Sequence, residues 1–124
     1  MPKKILSTPS APAAHGPYSV GVEANGIVFF SGQIALDADG KPAGSTPEQA
    51  QQVMTQIGGL LSDVGLGFSD VVKATIFLAD MGDFATVNEV YGSFFDADPP
   101  ARSAVEVAAL PKGVSVEIET IASR

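Results

Sequence analysis

In the stretch PPARSAVEV, from Pro99 to Val107, one arginine stands between a rigid double proline and a run of small and β-branched residues. The chain carries only 7 Lys and Arg, so a cation at the mouth of an apolar strand needs a reason. A guanidinium is a planar, permanently charged fork that matches a carboxylate through two parallel hydrogen bonds. Arg102 is therefore a candidate anion clamp. Glu117 lies in VSVEIETIA, where strict alternation puts it on one strand face with Ser115 and Glu119, opposite Val114, Val116 and Ile118. A carboxylate at an apolar interface has its pKa raised and can exchange a proton with water. Ser31 and Gly32 end an otherwise apolar strand, and a glycine there lets a ligand approach the backbone. Each also fits a plainer role: Arg102 as a strand-end charge, Glu117 and Glu119 as a solvated strand face.

Other chemistries lack their residues. There is no cysteine for a thiol nucleophile or a thiolate metal site, and a single histidine, His15, in the loop-like HGPY. No nucleophile elbow and no phosphate-cradling glycine loop occurs; GLLSDVGLGFSD has neither spacing. DADG, residues 37–40, resembles the opening of a calcium loop, but its glycine comes too early and the distal glutamate is missing, so it reads as a turn. Neither metal nor cofactor is expected. The net charge of −7, with scattered basic residues, argues against a nucleic-acid partner. No stretch has the apolar length of a signal peptide or a membrane span, so a soluble cytoplasmic protein is expected.

The elements that must position these groups follow from the pattern. At 124 residues, a single domain over 1–124 is expected. Asn25-Gly26 between two β-prone runs predicts a hairpin with strands near 18–24 and 27–33. The segment from Ser45 to Gly65 predicts a helix, with Thr46 and Gln49 as a capping box and Gly65 as the stop. Its apolar stripe runs through Ala50, Val53, Met54, Ile57, Leu60, Leu61 and Val64. Gly58 and Gly59 inside it predict close packing on a sheet. DVVKATIFLA predicts a strand. Asp83 is the expected cap of a second helix carrying Phe84, Val87, Tyr91 and Phe94 on one face, and the two prolines end it. RSAVEV and VSVEIETIA complete a β-β-α-β-α-β-β order, which predicts an α+β fold with both helices on one face of a mixed sheet. IVFF, DVV and TIFLA are apolar at adjacent positions, so both faces of those strands need cover. Two helices cover one. The other predicts a homo-oligomer.

Together, APAAHGPYSVGV, FFSGQIALDADGK, DVVKATIFLADMGDFATVNEVYGSFF and ARSAVEVAALPKGVSVEIETIA resemble the Rid family (YjgF/RidA, reactive intermediate imine deaminases), also labelled L-PSP endoribonuclease or translation inhibitor. The likeness runs from about residue 10 to the end. It implies a chorismate-mutase-like α+β fold, a homotrimer with a barrel-like core, and three sites at the subunit interfaces. It further implies cofactor-free hydrolysis of 2-aminoacrylate or 2-iminobutyrate to a 2-keto acid and ammonia. Within it, Arg102 matches the clamp for the substrate carboxylate, and Glu117 the glutamate that activates water. Tyr18 and Ser31 match pocket-lining residues, Gly32 lies beside the ligand, and Asn88 matches an asparagine that orders the helix and pocket. Three positions depart from the family pattern: Ala104 where cysteine is common, Pro99 in a shortened loop before Arg102, and Val20 where glutamine is frequent. Ala104 can serve the site only through backbone or shape. A small-carboxylate binding module without turnover, or a ribonuclease, are the alternative readings.

Overall fold

A computed structural model describes residues 2–124. Its elements are β1 (Lys4–Ile5), β2 (Gly21–Ala24), β3 (Ile27–Gln33), α1 (Thr46–Asp63), β4 (Val71–Leu78), α2 (Phe84–Gly92), β5 (Ala101–Glu106) and β6 (Val116–Ser123). They form one six-stranded mixed sheet in the order β1-β2-β3-β6-β4-β5, in which only the β4–β5 pair is parallel. The α+β class expected from the sequence is correct. The strand β1 was not foreseen, because two residues carry no periodicity. No helix among the described residues is long and apolar enough to cross a membrane.

The hairpin turns at Asn25 and Gly26, whose φ values of 52° and 78° are the left-handed pair that matches strand twist. α1 buries Ala50, Val53, Met54, Ile57, Leu60 and Leu61, the stripe predicted from spacing. Its cap is one residue earlier than expected. Ser45 Oγ accepts from the Glu48 backbone N–H, and Glu48 Oε1 accepts from the Ser45 N–H. Both hydroxyl residues could cap, and Pro47 fits the first turn behind either. The helix stops as predicted: Gly65 has φ 78°, Leu66 N–H donates to the Leu61 carbonyl and Gly65 N–H to that of Ser62. Gly58 and Gly59 do mark close packing, but not on the sheet. Added Cβ atoms there would press on Phe68 at 3.1 Å and on Ser10 at 3.3 Å. Asp83 makes no capping hydrogen bond; a short 3₁₀ turn precedes α2, and Asp80 accepts from Gly82 N–H there instead. DADG is a turn, with Asp37 Oδ1 accepting from the Asp39 and Lys41 amides.

The core lies between the helices and one sheet face, where Val28, Phe30, Ala74, Ile76, Leu78, Val116, Ile118 and Ala122 are buried. The opposite face carries Phe29 against Ile121 and Phe77 against Val105. Phe29 is 44% and Val105 40% exposed. The two-faced apolar pattern is thus real, and one face is open in the single chain.

Candidate active site

Arg102 is the second residue of β5 and pairs with Ala74, which is buried beneath the helices. Alternation therefore directs Arg102 to the helix-covered face. There α2 meets it. Asn88 Oδ1 accepts from Arg102 Nη1, and the guanidinium carbon lies 5.2 Å from the Tyr91 ring centroid and 5.5 Å from that of Phe84. Arg102 remains exposed, so the rest of its fork is open to an incoming anion. Ala104 follows on the same face beside Ile76, half-buried.

Glu117 pairs with Phe77 and lies on the open face, between the buried Val116 and Ile118. Partial burial raises its pKa above the usual carboxylate range, and the neighbouring Glu119 adds to the rise. The shift favours the protonated carboxyl over the charged one. Glu117 shares this spot with Gly32, where an added Cβ would collide with the Glu117 carboxylate. Any larger residue at 32 would have to push the Glu117 carboxylate aside. β3 and β6 slip register between Phe30 and Gln33, which bulges Ser31 and Gly32 out of the ladder. Ser31 Oγ donates to the Ser19 carbonyl at 2.7 Å, tying the bulge to the segment that carries the exposed Tyr18. Ser115, expected on Glu117's face, turns instead to α1: its N–H and Oγ both donate to Gln49 Oε1, at 3.0 and 3.1 Å.

The seven predicted residues therefore form two groups. Arg102, Asn88 and Ala104 lie on the helix side of the edge strand; Tyr18, Ser31, Gly32 and Glu117 gather near the bulge of β3. Glu117 and Arg102 are on opposite faces, with β4 between their strands and roughly 10 Å of lateral spacing. One chain cannot present both to one small molecule. Tyr18, Ser31 and Gly32 also line a cavity of about 590 Å³ with Gln33, Gln56 and Lys112, to which neither Glu117 nor Arg102 contributes.

Two features escaped the sequence reading. Phe84 and Tyr91 were seen only as an apolar helix face, although their spacing with Asn88 (i, i+4, i+7) was a usable signal. The second is a chain of glutamines. Gln52 Nε2 donates to Gln56 Oε1, Gln56 Nε2 to Gln33 Oε1, and Gln33 Nε2 to the Ser31 carbonyl, which braces the bulge from α1.

Comparison with known proteins places the chain in a family and agrees with the fold. The chain matches the family described as Endoribonuclease L-PSP over residues 8–124. It is 51% identical over 122 residues to a 2-iminobutanoate/2-iminopropanoate deaminase from Bos taurus, covering 97% of this chain and 89% of that protein. Among solved structures, the Rid-family protein YyfA from Yersinia pestis superposes with a TM-score of 0.92 at 40% identity, covering 99% of this chain and all of that one. Escherichia coli TdcF with bound serine gives 0.89 at 44% identity, covering 98% of each chain. A family match over residues 8–124, with near-full-length relatives and superposing structures at these identities, leaves one assignment: the chain belongs to the endoribonuclease L-PSP family, in which the Rid proteins lie.

Proposed function

We propose that this protein hydrolyses small 2-imino and 2-enamino acids to 2-keto acids and ammonia, as a homotrimer whose sites span subunit interfaces. The observation that carries the reading is the division of the site: an exposed, oriented Arg102 on one side of the sheet, and a Glu117 of raised pKa beside Gly32 on the other. Two copies are needed to bring the halves together, and the open face with Phe29 and Val105 offers apolar surface for that contact. The names of the similar proteins support the chemistry. One is a 2-iminobutanoate/2-iminopropanoate deaminase, and another holds serine, an α-amino carboxylate.

The reaction needs little. Arg102 of one chain holds the carboxylate, aided by Asn88. The carbon of the protonated imine is already electrophilic. Glu117 of the neighbouring chain takes a proton from water as its oxygen bonds to that carbon. Glu117 passes that proton to nitrogen; as the C–N bond breaks it takes the hydroxyl proton and returns it to the leaving ammonia, so iminium plus water becomes keto acid plus ammonium. Tyr18, Ser31, Gly32 and Ala104 shape the pocket, the last by its backbone and small size. A cytoplasmic setting fits this role, where unstable imines arise from amino-acid metabolism.

Coupling the protein to a serine or threonine dehydratase and following keto-acid release tests the proposal. The unaltered protein should accelerate release. Arg102→Ala should lower kcat/KM by roughly 10- to 100-fold, the worth of a charge-assisted pair. Glu117→Gln should lower kcat by about 10²- to 10⁴-fold while preserving carboxylate binding. Binding without acceleration would favour the carboxylate-binding module, the reading that a serine-bound relative also fits. RNA cleavage is the weaker alternative, because the net charge is −7.

A further inference from the structure

We propose that Phe84 and Tyr91 are positioning residues for the carboxylate clamp, fixing the plane of the Arg102 guanidinium while leaving its charge uncompensated. The inference rests on the carboxylate-binding role proposed above for Arg102.

Residues 84, 88 and 91 fall at i, i+4 and i+7 of α2 and so share one face. Asn88 spends one guanidinium nitrogen. The two rings lie within about 6 Å of the guanidinium carbon, the range over which a ring face attracts a cation. A ring face offers no in-plane acceptor, so it orients the fork without competing for its N–H groups.

A carboxylate would hold the arginine more firmly but would take the substrate's place. Among the described residues the one ion pair is Arg124 with Glu23, and Arg102 has no acidic partner within that range. Glu106, on the same face of β5, is directed elsewhere and accepts from Met81 N–H at 2.7 Å. The holders of Arg102 are thus all neutral. They are also stiff. Tyr91 is buried and packs on Phe95 at 4.9 Å, and Phe95 in turn meets Phe68 at 5.6 Å. The double proline fixes the backbone on the other side of Arg102. An unheld arginine on an edge strand would sample many rotamers and lose that freedom on binding.

The test uses Phe84→Leu and Tyr91→Leu, with Phe84→Tyr and Tyr91→Phe as conservative partners. KM for the imino acid, kcat, the Kd of pyruvate and the thermal midpoint are measured for each. Each leucine variant should raise KM and Kd roughly three- to thirtyfold, the range for a cation–ring contact, with kcat held within about twofold. The variants that keep a ring should restore KM and Kd. Tyr91 is a core residue, so if its leucine variant does not fold, the half-buried Phe84 carries the test.

Leucine variants that lose thermal stability but keep wild-type KM and pyruvate affinity overturn the proposal. When Arg102→Ala abolishes binding and Phe84→Leu leaves it untouched, only the positioning role falls. When Arg102→Ala itself leaves binding unchanged, the clamp reading falls and this inference with it.

Discussion

Glu117 is where stability and chemistry conflict at the scale of a single residue. Its pKa is raised chiefly by burial and secondarily by Glu119, so the fold favours the protonated form. The stability this gives is fully present below the ordinary carboxylate pKa and is lost as pH rises through the raised value. At neutral pH an ionised Glu117 is therefore a liability that its proposed role as base explains. Glu117→Gln should raise the thermal midpoint at neutral pH, and the gain should shrink in acid below the carboxylate range. In the same frame, the acid limb of kcat/KM should lie above that of an ordinary carboxylate, and Glu119→Gln should move it toward lower pH. Melting curves across pH and a pH–rate profile check both; a Glu117→Gln protein less stable at neutral pH would refute the burial argument. Arg102 stood out because arginine is rare in this chain and its flanks are apolar, whereas Glu117 stood out by strand alternation alone and took its proposed role only from the family resemblance. Their holders did not. An aromatic on a helix face reads as core whether or not a cation lies against it.

Elements explain how precisely these groups are placed, and where local signals compete. The hairpin at Asn25-Gly26, the α1 stripe and the Gly65 stop were readable because one local rule decides each. The start of α1 was not, since Ser45 and Thr46 both satisfy it and only the Glu48 contact back to Ser45 selects one. Asp83 failed as a cap because a preceding 3₁₀ turn takes over the entry to α2. Ser115 fulfilled the alternation on paper, yet two hydrogen bonds to Gln49 outweighed the strand pattern at the start of β6. The bulge at Ser31-Gly32 needed β6 to be visible at all. The cap is testable: Ser45→Ala should cost about 1 kcal/mol in urea unfolding, whereas Thr46→Ala should cost clearly less. The reverse ranking would return the cap to Thr46. Glu48, held below the usual carboxylate range by the Ser45 amide and hydroxyl, should make the Ser45 effect smaller in acid, where that carboxylate is protonated.

For the whole molecule, the open sheet face and the divided site make the same demand. Apolar runs in β3 and β4 already pointed to a second covering surface, but sequence could not tell which face each functional group would take. Register settles it: Arg102 pairs with buried Ala74, and Glu117 with Phe77 on the open side. The proposed trimer reunites Arg102 of one chain with Glu117 of the next. The most direct test mixes two impaired proteins, Arg102→Ala and Glu117→Gln, denatured and refolded together in equal amounts. If sites form between chains, every mixed trimer contains one site with both intact residues. About a quarter of all sites, and a matching share of wild-type keto-acid release, should then be recovered from a random mixture. Mixed oligomers verified by mass that show no recovery would contradict the account, since each site would then draw both groups from one chain.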